Sequence, residues 1–144
     1  MNQVVVKQEK SGYQIVEAYK SLRTNLQFCG EDKKVIAVTS CTPNEGKSSV
    51  SMQLGISLAE SGKRVILIDA DLRKSVLLGR TKTQKSVRGL AHFLSGQATL
   101  EDVICSTNVK NFYMIYSGPF PPNPAELLGG KNFRSLLNAL RKVY

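Results

Sequence analysis

Eight residues constrain this chain more than any others: Thr42-Pro43-Asn44-Glu45-Gly46-Lys47-Ser48-Ser49. A Gly-Lys-Ser step carries structural meaning only where a buried strand leads into it and a helix leads out. Val35-Ile36-Ala37-Val38-Thr39-Ser40, just before it, is an apolar and β-branched run, the pattern of a buried parallel strand. Val50, Leu54 and Leu58, just after it, recur at helical spacing. The sequence therefore predicts strand, loop and helix, with loop N–H groups and the helix N-terminus offering partial positive charge to an anion. In that arrangement Gly46 lets the backbone approach phosphate. Lys47 reaches the β- and γ-phosphates, and the Ser48 hydroxyl ligates Mg²⁺. Residues 42 to 49 are thus the expected nucleotide-binding segment. The usual pattern opens with a glycine where this chain has Cys41.

About twenty residues on, Val65-Ile66-Leu67-Ile68 is a second fully apolar run, followed by Asp69-Ala70-Asp71-Leu72-Arg73. Open α/β sheets bind their ligands at the carboxyl ends of strands, which is where Asp69 and Asp71 fall. Their alternate spacing directs both carboxylates to one side of the strand. Two such groups beside a phosphate loop can hold Mg²⁺ through water, or take a proton from an attacking hydroxyl. Arg73 can neutralise phosphate or pair with a carboxylate.

The rest of the chain sets the frame. At 144 residues it can bury one modest core. It reads as a single domain, with residues 1–14 an N-terminal extension and 15–144 an α/β core. No apolar run approaches the roughly 20 residues of a membrane helix. The Met1–Val6 stretch is too short for a signal peptide. A cytoplasmic location is the expectation. Cys29, Cys41 and Cys105 have no metal-ligand spacing and are expected as reduced thiols. The net charge is +9, with Arg73, Lys74, Arg80, Lys82, Lys85 and Arg88 crowded together. Such charge suits ATP, phosphorylated tails or an anionic membrane face, and also DNA, although a solvated surface is the default reading.

Ser11-Gly12-Tyr13-Gln14 has the form of a capping box, and Ile15, Tyr19, Leu22 and Leu26 stripe the helix that follows. Glu17, Lys20 and Arg23 lie one turn apart on its polar face. Spacing alone allows an intrahelical ion pair or a subunit contact. Gly62 is the expected stop of the phosphate-loop helix. Residues 74–88 read as a basic loop, residues 89–94 as a short helix holding a structural His92, and 99–104 as a capped helix. Asn111–Ser117 is a third strand. Asn123 caps a last helix with Pro124 at its first position and Glu126 returning a bond. Strands alternating with helices argue an α/β fold with a mostly parallel sheet flanked by helices.

These motifs, in this order, resemble the bacterial tyrosine kinases of capsule and exopolysaccharide synthesis. Ser40, Pro43, Glu45, Gly46, Lys47 and Ser48 match that family's Walker A loop. Asp69, Asp71 and Arg73 match its Walker A′ strand end. Glu17, Lys20 and Arg23 match its ring-assembly motif except at the middle position, where the family has arginine. Pro121-Pro122-Asn123-Pro124-Ala125-Glu126-Leu127-Leu128 matches a further family motif. The resemblance covers roughly residues 15–144. It implies a three-layer P-loop fold of the MinD/ParA type, ATP and Mg²⁺ as cofactors, and catalysis by Lys47, Asp69 and Asp71. Ser48 and Asp71 would serve the metal. It also implies autophosphorylation of tail tyrosines on neighbouring subunits of a ring-like homo-oligomer, held at the inner face of the membrane by a separate transmembrane polysaccharide co-polymerase adaptor. A Walker B strand and a tyrosine cluster are expected beyond Tyr144, so the chain reads as truncated and the sheet as incomplete at its C-terminal end. Two rivals are a MinD/ParA-like positioning ATPase, binding membrane or DNA, and a non-catalytic interaction fragment. The positioning ATPases carry a signature lysine where this chain has Thr42, so nucleic acid is the less expected partner.

Overall fold

The computed structural model describes residues 1–7, 12–83 and 86–144. Its elements run β1 Asn2–Val6, α1 Tyr13–Phe28, α2 Lys47–Glu60, β2 Val65–Ile68, β3 Thr81–Thr83, α3 Leu90–Leu94, α4 Leu100–Val103, β4 Cys105–Thr107, β5 Phe112–Ile115, α5 Pro124–Gly129 and α6 Lys131–Leu140. A single 3₁₀ turn, Leu78–Arg80, leads into β3. The strands form one five-stranded sheet in the order β2-β5-β4-β1-β3. β2 and β5 pair in parallel, from Val65 against Phe112 to Ile68 against Ile115. β1 and β4 also pair in parallel, and antiparallel pairings join β4 to β5 and β1 to β3.

Side-chain alternation along the strands divides the core into two faces. Val65 and Leu67 of β2, Phe112 and Met114 of β5, and Val4 and Val6 of β1 face Met52, Ile56 and Ala59 of α2. Ile66, Ile68 and Ile115 face the other way, onto Leu90, Leu94, Val103, Leu136 and Leu140 of α3, α4 and α6. The result is the three-layer α/β arrangement that the alternating apolar runs predict.

β1 lies inside the sheet, so residues 2–6 belong to the core rather than to an extension. Val4 and Val6 turn inward while Val5 stays exposed, the period-2 pattern of a strand buried on one face. The basic segment 74–88 is not all loop either: Leu77 is buried, and β3 pairs with β1. The capping box at Ser11 and the basic side chain of Lys85 lie outside the described residues. The last helix is two helices, broken where Gly130 adopts an extended backbone and starts α6. Glu126 does not return to the Asn123 backbone; its Oε2 accepts from Asn123 Nδ2 at 3.1 Å.

The largest departure concerns residues 35–40, which form no strand. Val35, Ile36 and Val38 are exposed by 51%, 43% and 38%. A run apolar on both sides is a strand only where neighbours flank it. β2 and β5, which both pack on α2, bond to each other, and among the described residues none pairs with 35–40 to complete a ladder.

Candidate nucleotide-binding site

The loop between residue 40 and α2 turns through two left-handed residues, Asn44 at φ 62° and Gly46 at φ 88°. Gly46 is the N-cap of α2, and its positive φ at the phosphate-approach position is why glycine is needed there. Lys47 and Ser48 are the first two residues of the helix, so the free N–H groups of its first turn open toward the loop. The loop is tied to itself by Ser40 Oγ, which donates to the Thr42 carbonyl at 3.0 Å. The Thr42 N–H donates to Glu45 Oε2 at 3.3 Å. These bonds from Thr42 hold the Glu45 carboxyl below its usual range, so it stays ionised across the neutral region. Glu45 therefore braces the loop, and Lys47 has no ion-pair partner among the described residues.

α2 packs against β2. The chain runs down α2, turns at Gly62, and returns up β2, so the carboxyl end of β2 lies at the same end as the start of α2. The turn is closed by Gly62 N–H to the Ala59 carbonyl and Lys63 N–H to the Leu58 carbonyl. Asp69 and Asp71 thus reach the loop's end of the sheet, as the sequence predicts, but they are unlike in kind. Asp69 continues the sheet ladder through its N–H to the Ile115 carbonyl at 2.8 Å, and its alternation puts the side chain on the α2 side. It is 5% exposed, accepts from Ser75 Oγ and from the Asp71 N–H, and burial raises its pKa above the usual value. Asp71 is exposed. Its Oδ1 accepts the Arg73 and Lys74 N–H groups at 3.2 and 2.9 Å, which caps a tight turn. The two carboxylates therefore differ in burial and in partners, a difference that strand spacing does not predict. Arg73 is exposed and makes no ion pair among the described residues.

One contact was not anticipated residue by residue. Arg80, from the 3₁₀ turn, donates through Nη1 to Ser49 Oγ at 2.5 Å, across 31 residues of sequence. Its only sequence signal is membership of the basic cluster. Behind it, Tyr116 Oη donates to Thr81 Oγ1 at 2.7 Å, and Thr81 Oγ1 donates to the Leu78 carbonyl. Burial pushes the Tyr116 hydroxyl up to about 12, so it remains protonated and a donor.

The charged triplet of α1 is divided. Lys20 pairs with Glu17 at 2.8 Å on the helix surface. Arg23 instead reaches across to α2, donating to the Ser57 carbonyl at 2.8 Å and to Ser57 Oγ at 3.3 Å. His92 has a structural place: its Nδ1 accepts the Gly89 N–H at 3.1 Å at the start of α3. Cys29 and Cys41 are exposed free thiols and Cys105 is a buried one. No described helix is long and apolar enough to cross a membrane.

A glycine-capped loop opening a helix, beside a strand ending in a buried carboxylate, is the geometry of a candidate phosphate loop in an α/β nucleotide-binding domain. Residues 33–141 match the AAA domain family. The chain is 44% identical over 128 residues to the tyrosine-protein kinase CpsD of Streptococcus pneumoniae, covering 89% of this chain and 56% of that protein. Among solved structures it superposes on the BceF tyrosine kinase domain with a TM-score of 0.80 at 44% identity, covering 90% of this chain and 52% of that one. On the kinase domain of the Escherichia coli tyrosine kinase ETK the TM-score is 0.84 at 29% identity, with coverage of 98% and 65%. The chain belongs to the AAA domain family, and over most of its own length it is similar to bacterial tyrosine-protein kinases. It spans about half the length of the curated relatives it matches.

Proposed function

We propose that this chain is the ATP-binding part of a protein-tyrosine kinase that phosphorylates tyrosines on neighbouring subunits and regulates capsular or exopolysaccharide synthesis. The observation that carries the reading is the pairing, at one end of the sheet, of a left-handed glycine cap opening α2 at Lys47 with the buried Asp69. The phosphates lie along residues 42–49, with Lys47 balancing their charge and the first-turn N–H groups of α2 donating to them. Ser48, the exposed Asp71 and the nucleotide's own oxygens make a donor set of the hard-oxygen kind that Mg²⁺ takes. Among the described residues no cluster of three or more His, Cys, Asp or Glu forms an all-protein cage. When bound there, the ion neutralises charge on the phosphates.

Asp69 is the proton acceptor. Burial makes its carboxylate more basic than an ordinary aspartate, which favours uptake of the tyrosine hydroxyl proton. The tyrosine oxygen forms a bond to the γ-phosphorus, the bond from that phosphorus to the β–γ bridging oxygen breaks, and ADP leaves. Arg73, exposed beside Asp71, is a phosphate-neutralising group on the acceptor side. Glu17 and Lys20 on the open face of α1 serve the contact between subunits, and a membrane adaptor places the assembly at the inner face of the membrane.

The test is transfer of the γ-phosphoryl of ATP to tyrosine, read by anti-phosphotyrosine blot and mass spectrometry on the full protein, with Lys47→Met beside it. Tyrosine phosphate that appears in the wild type and vanishes in the variant supports the reading. Salt-sensitive DNA binding with no tyrosine phosphate would replace it with a positioning ATPase.

A further inference from the structure

The start of α2 holds two cations. Lys47 is its first residue, and the Arg80 guanidinium is bonded to Ser49, its third. No acidic residue occupies the first turn, and neither cation is paired with a carboxylate among the described residues. A helix N-terminus is its positive end, so two cations there carry the wrong sign for stability. Local rules are broken in this way where function requires it. An anion placed between them reverses the sign of every term.

Arg80 is also held in place rather than free on a loop. Leu77 is buried at the start of its turn, and the Arg80 N–H donates to the Leu77 carbonyl at 3.1 Å. Thr81, next in sequence, is buried, opens β3 and accepts from the buried Tyr116 hydroxyl. The guanidinium is therefore carried between an anchored turn and a paired strand. Of its five N–H donors, the bond to Ser49 uses one, and the planar fork that remains suits phosphate oxygens.

We propose that Arg80 is a further nucleotide-binding residue, which pairs with the α- or β-phosphate oxygens of a nucleoside di- or triphosphate held on the loop. The inference rests on the phosphate-loop reading above. Helical side chains lean toward the N-terminus, so Ser49 Oγ marks the rim of the first turn. Lys47 reaches the β- and γ-phosphates from the loop, which leaves the nucleoside side of the phosphate chain to Arg80.

The experiment measures ADP–Mg²⁺ and ATP–Mg²⁺ dissociation constants by calorimetry for wild type, Arg80→Ala, Arg80→Lys and Lys47→Met, with melting temperatures recorded without nucleotide. Arg80→Ala is expected to weaken ADP and ATP alike by about tenfold, the scale of one charge-assisted hydrogen bond, and Arg80→Lys to recover part of that. The melting temperature without nucleotide should stay the same or rise, because a repelling cation is removed. Unchanged affinity in Arg80→Ala, with binding lost in Lys47→Met, would overturn the role of Arg80 alone. Loss confined to ATP would also overturn it, by moving the contact to the γ-phosphate. Unchanged affinity in both Arg80→Ala and Lys47→Met would instead remove the phosphate-loop reading itself.

Discussion

Gly89→Ala tests whether the strand end that supports Asp69 is held by a close backbone approach. Gly89 has φ −129° and ψ −174°, an extended backbone that alanine adopts without cost. Any penalty must therefore come from space. A Cβ at this position would stand 2.3 Å from Gly118 N, 2.5 Å from the Tyr116 carbonyl oxygen and 2.6 Å from Gly118 Cα. All three are backbone atoms, and each is roughly 1 Å inside ordinary contact distance. The chains must separate by about that much. Two bonds hold them now: Leu90 N–H to the Tyr116 carbonyl at 2.6 Å, and Ala91 N–H to the Ser117 carbonyl at 2.9 Å. A shift of about 1 Å takes both beyond hydrogen-bond range, at about 1 kcal/mol each, before the strain of overpacking. We expect a total near 3 kcal/mol. With an unfolding entropy of roughly 0.3 kcal/mol/K for a chain of this size, the melting temperature should fall by about 10 °C. Urea unfolding followed by circular dichroism reads the free energy directly. Gly129→Ala is the control, because nothing lies within 4 Å of its added Cβ, and it should gain about 0.5 kcal/mol. A Gly89→Ala protein within 0.5 kcal/mol of wild type would refute the close-approach argument.

Lys47→Met should abolish measurable ATP binding while leaving the melting temperature within about 2 °C, because Lys47 makes no ion pair among the described residues; equal ATP affinity in the two proteins would exclude the loop as the phosphate site. Asp69→Asn should bind ATP nearly normally and lose most tyrosine phosphorylation, and transfer at the wild-type rate would place the base elsewhere. The same variant has a pH signature: burial raises the folded pKa of Asp69 above its ordinary 3.8. The stabilising contribution of the protonated group is present below that value and lost as pH rises through the folded pKa. Wild type should therefore lose ground to Asp69→Asn between acid and neutral pH, and a constant difference in urea midpoints would contradict the desolvated carboxylate. Arg23→Ala should cost about 1 kcal/mol by releasing α1 from Ser57, whereas Glu17→Ala with Lys20→Ala, at an exposed pair, should leave stability essentially unchanged and reduce the oligomer mass seen by light scattering. An unchanged mass would return that pair to an intrahelical role.

How much of this was legible in the sequence depends on the range of the interaction that decides each feature. The loop was legible because its meaning is local: Gly46 needs a left-handed backbone, Lys47 and Ser48 must follow at once, and no distant partner can alter that. β2 and β5 were legible because four consecutive apolar residues, at 65–68 and 112–115, pack helices on both faces, β5 mostly buried and β2 half-buried. Residues 35–40 carry an equally apolar signal and form no strand, because hydrophobicity marks a strand's burial while neighbouring strands supply its hydrogen bonds. β1 shows the reverse. Met1–Val6 was read as part of an N-terminal extension, and it becomes a strand through partners more than seventy residues away, at Thr81–Thr83 and Cys105–Thr107. At the site the same division holds. Spacing put Asp69 and Asp71 on one side of the strand but describes the strand alone; the burial of Asp69 and the bonds from the Arg73 and Lys74 N–H groups to Asp71 are not encoded in it. Arg80 was hidden for a related reason: its charge was visible within a basic cluster, but its direction is set by Leu77, Thr81 and Tyr116, brought together only by the fold. Motif chemistry is thus readable where a backbone conformation dictates it, and the groups that tune a site are found through the packing behind them.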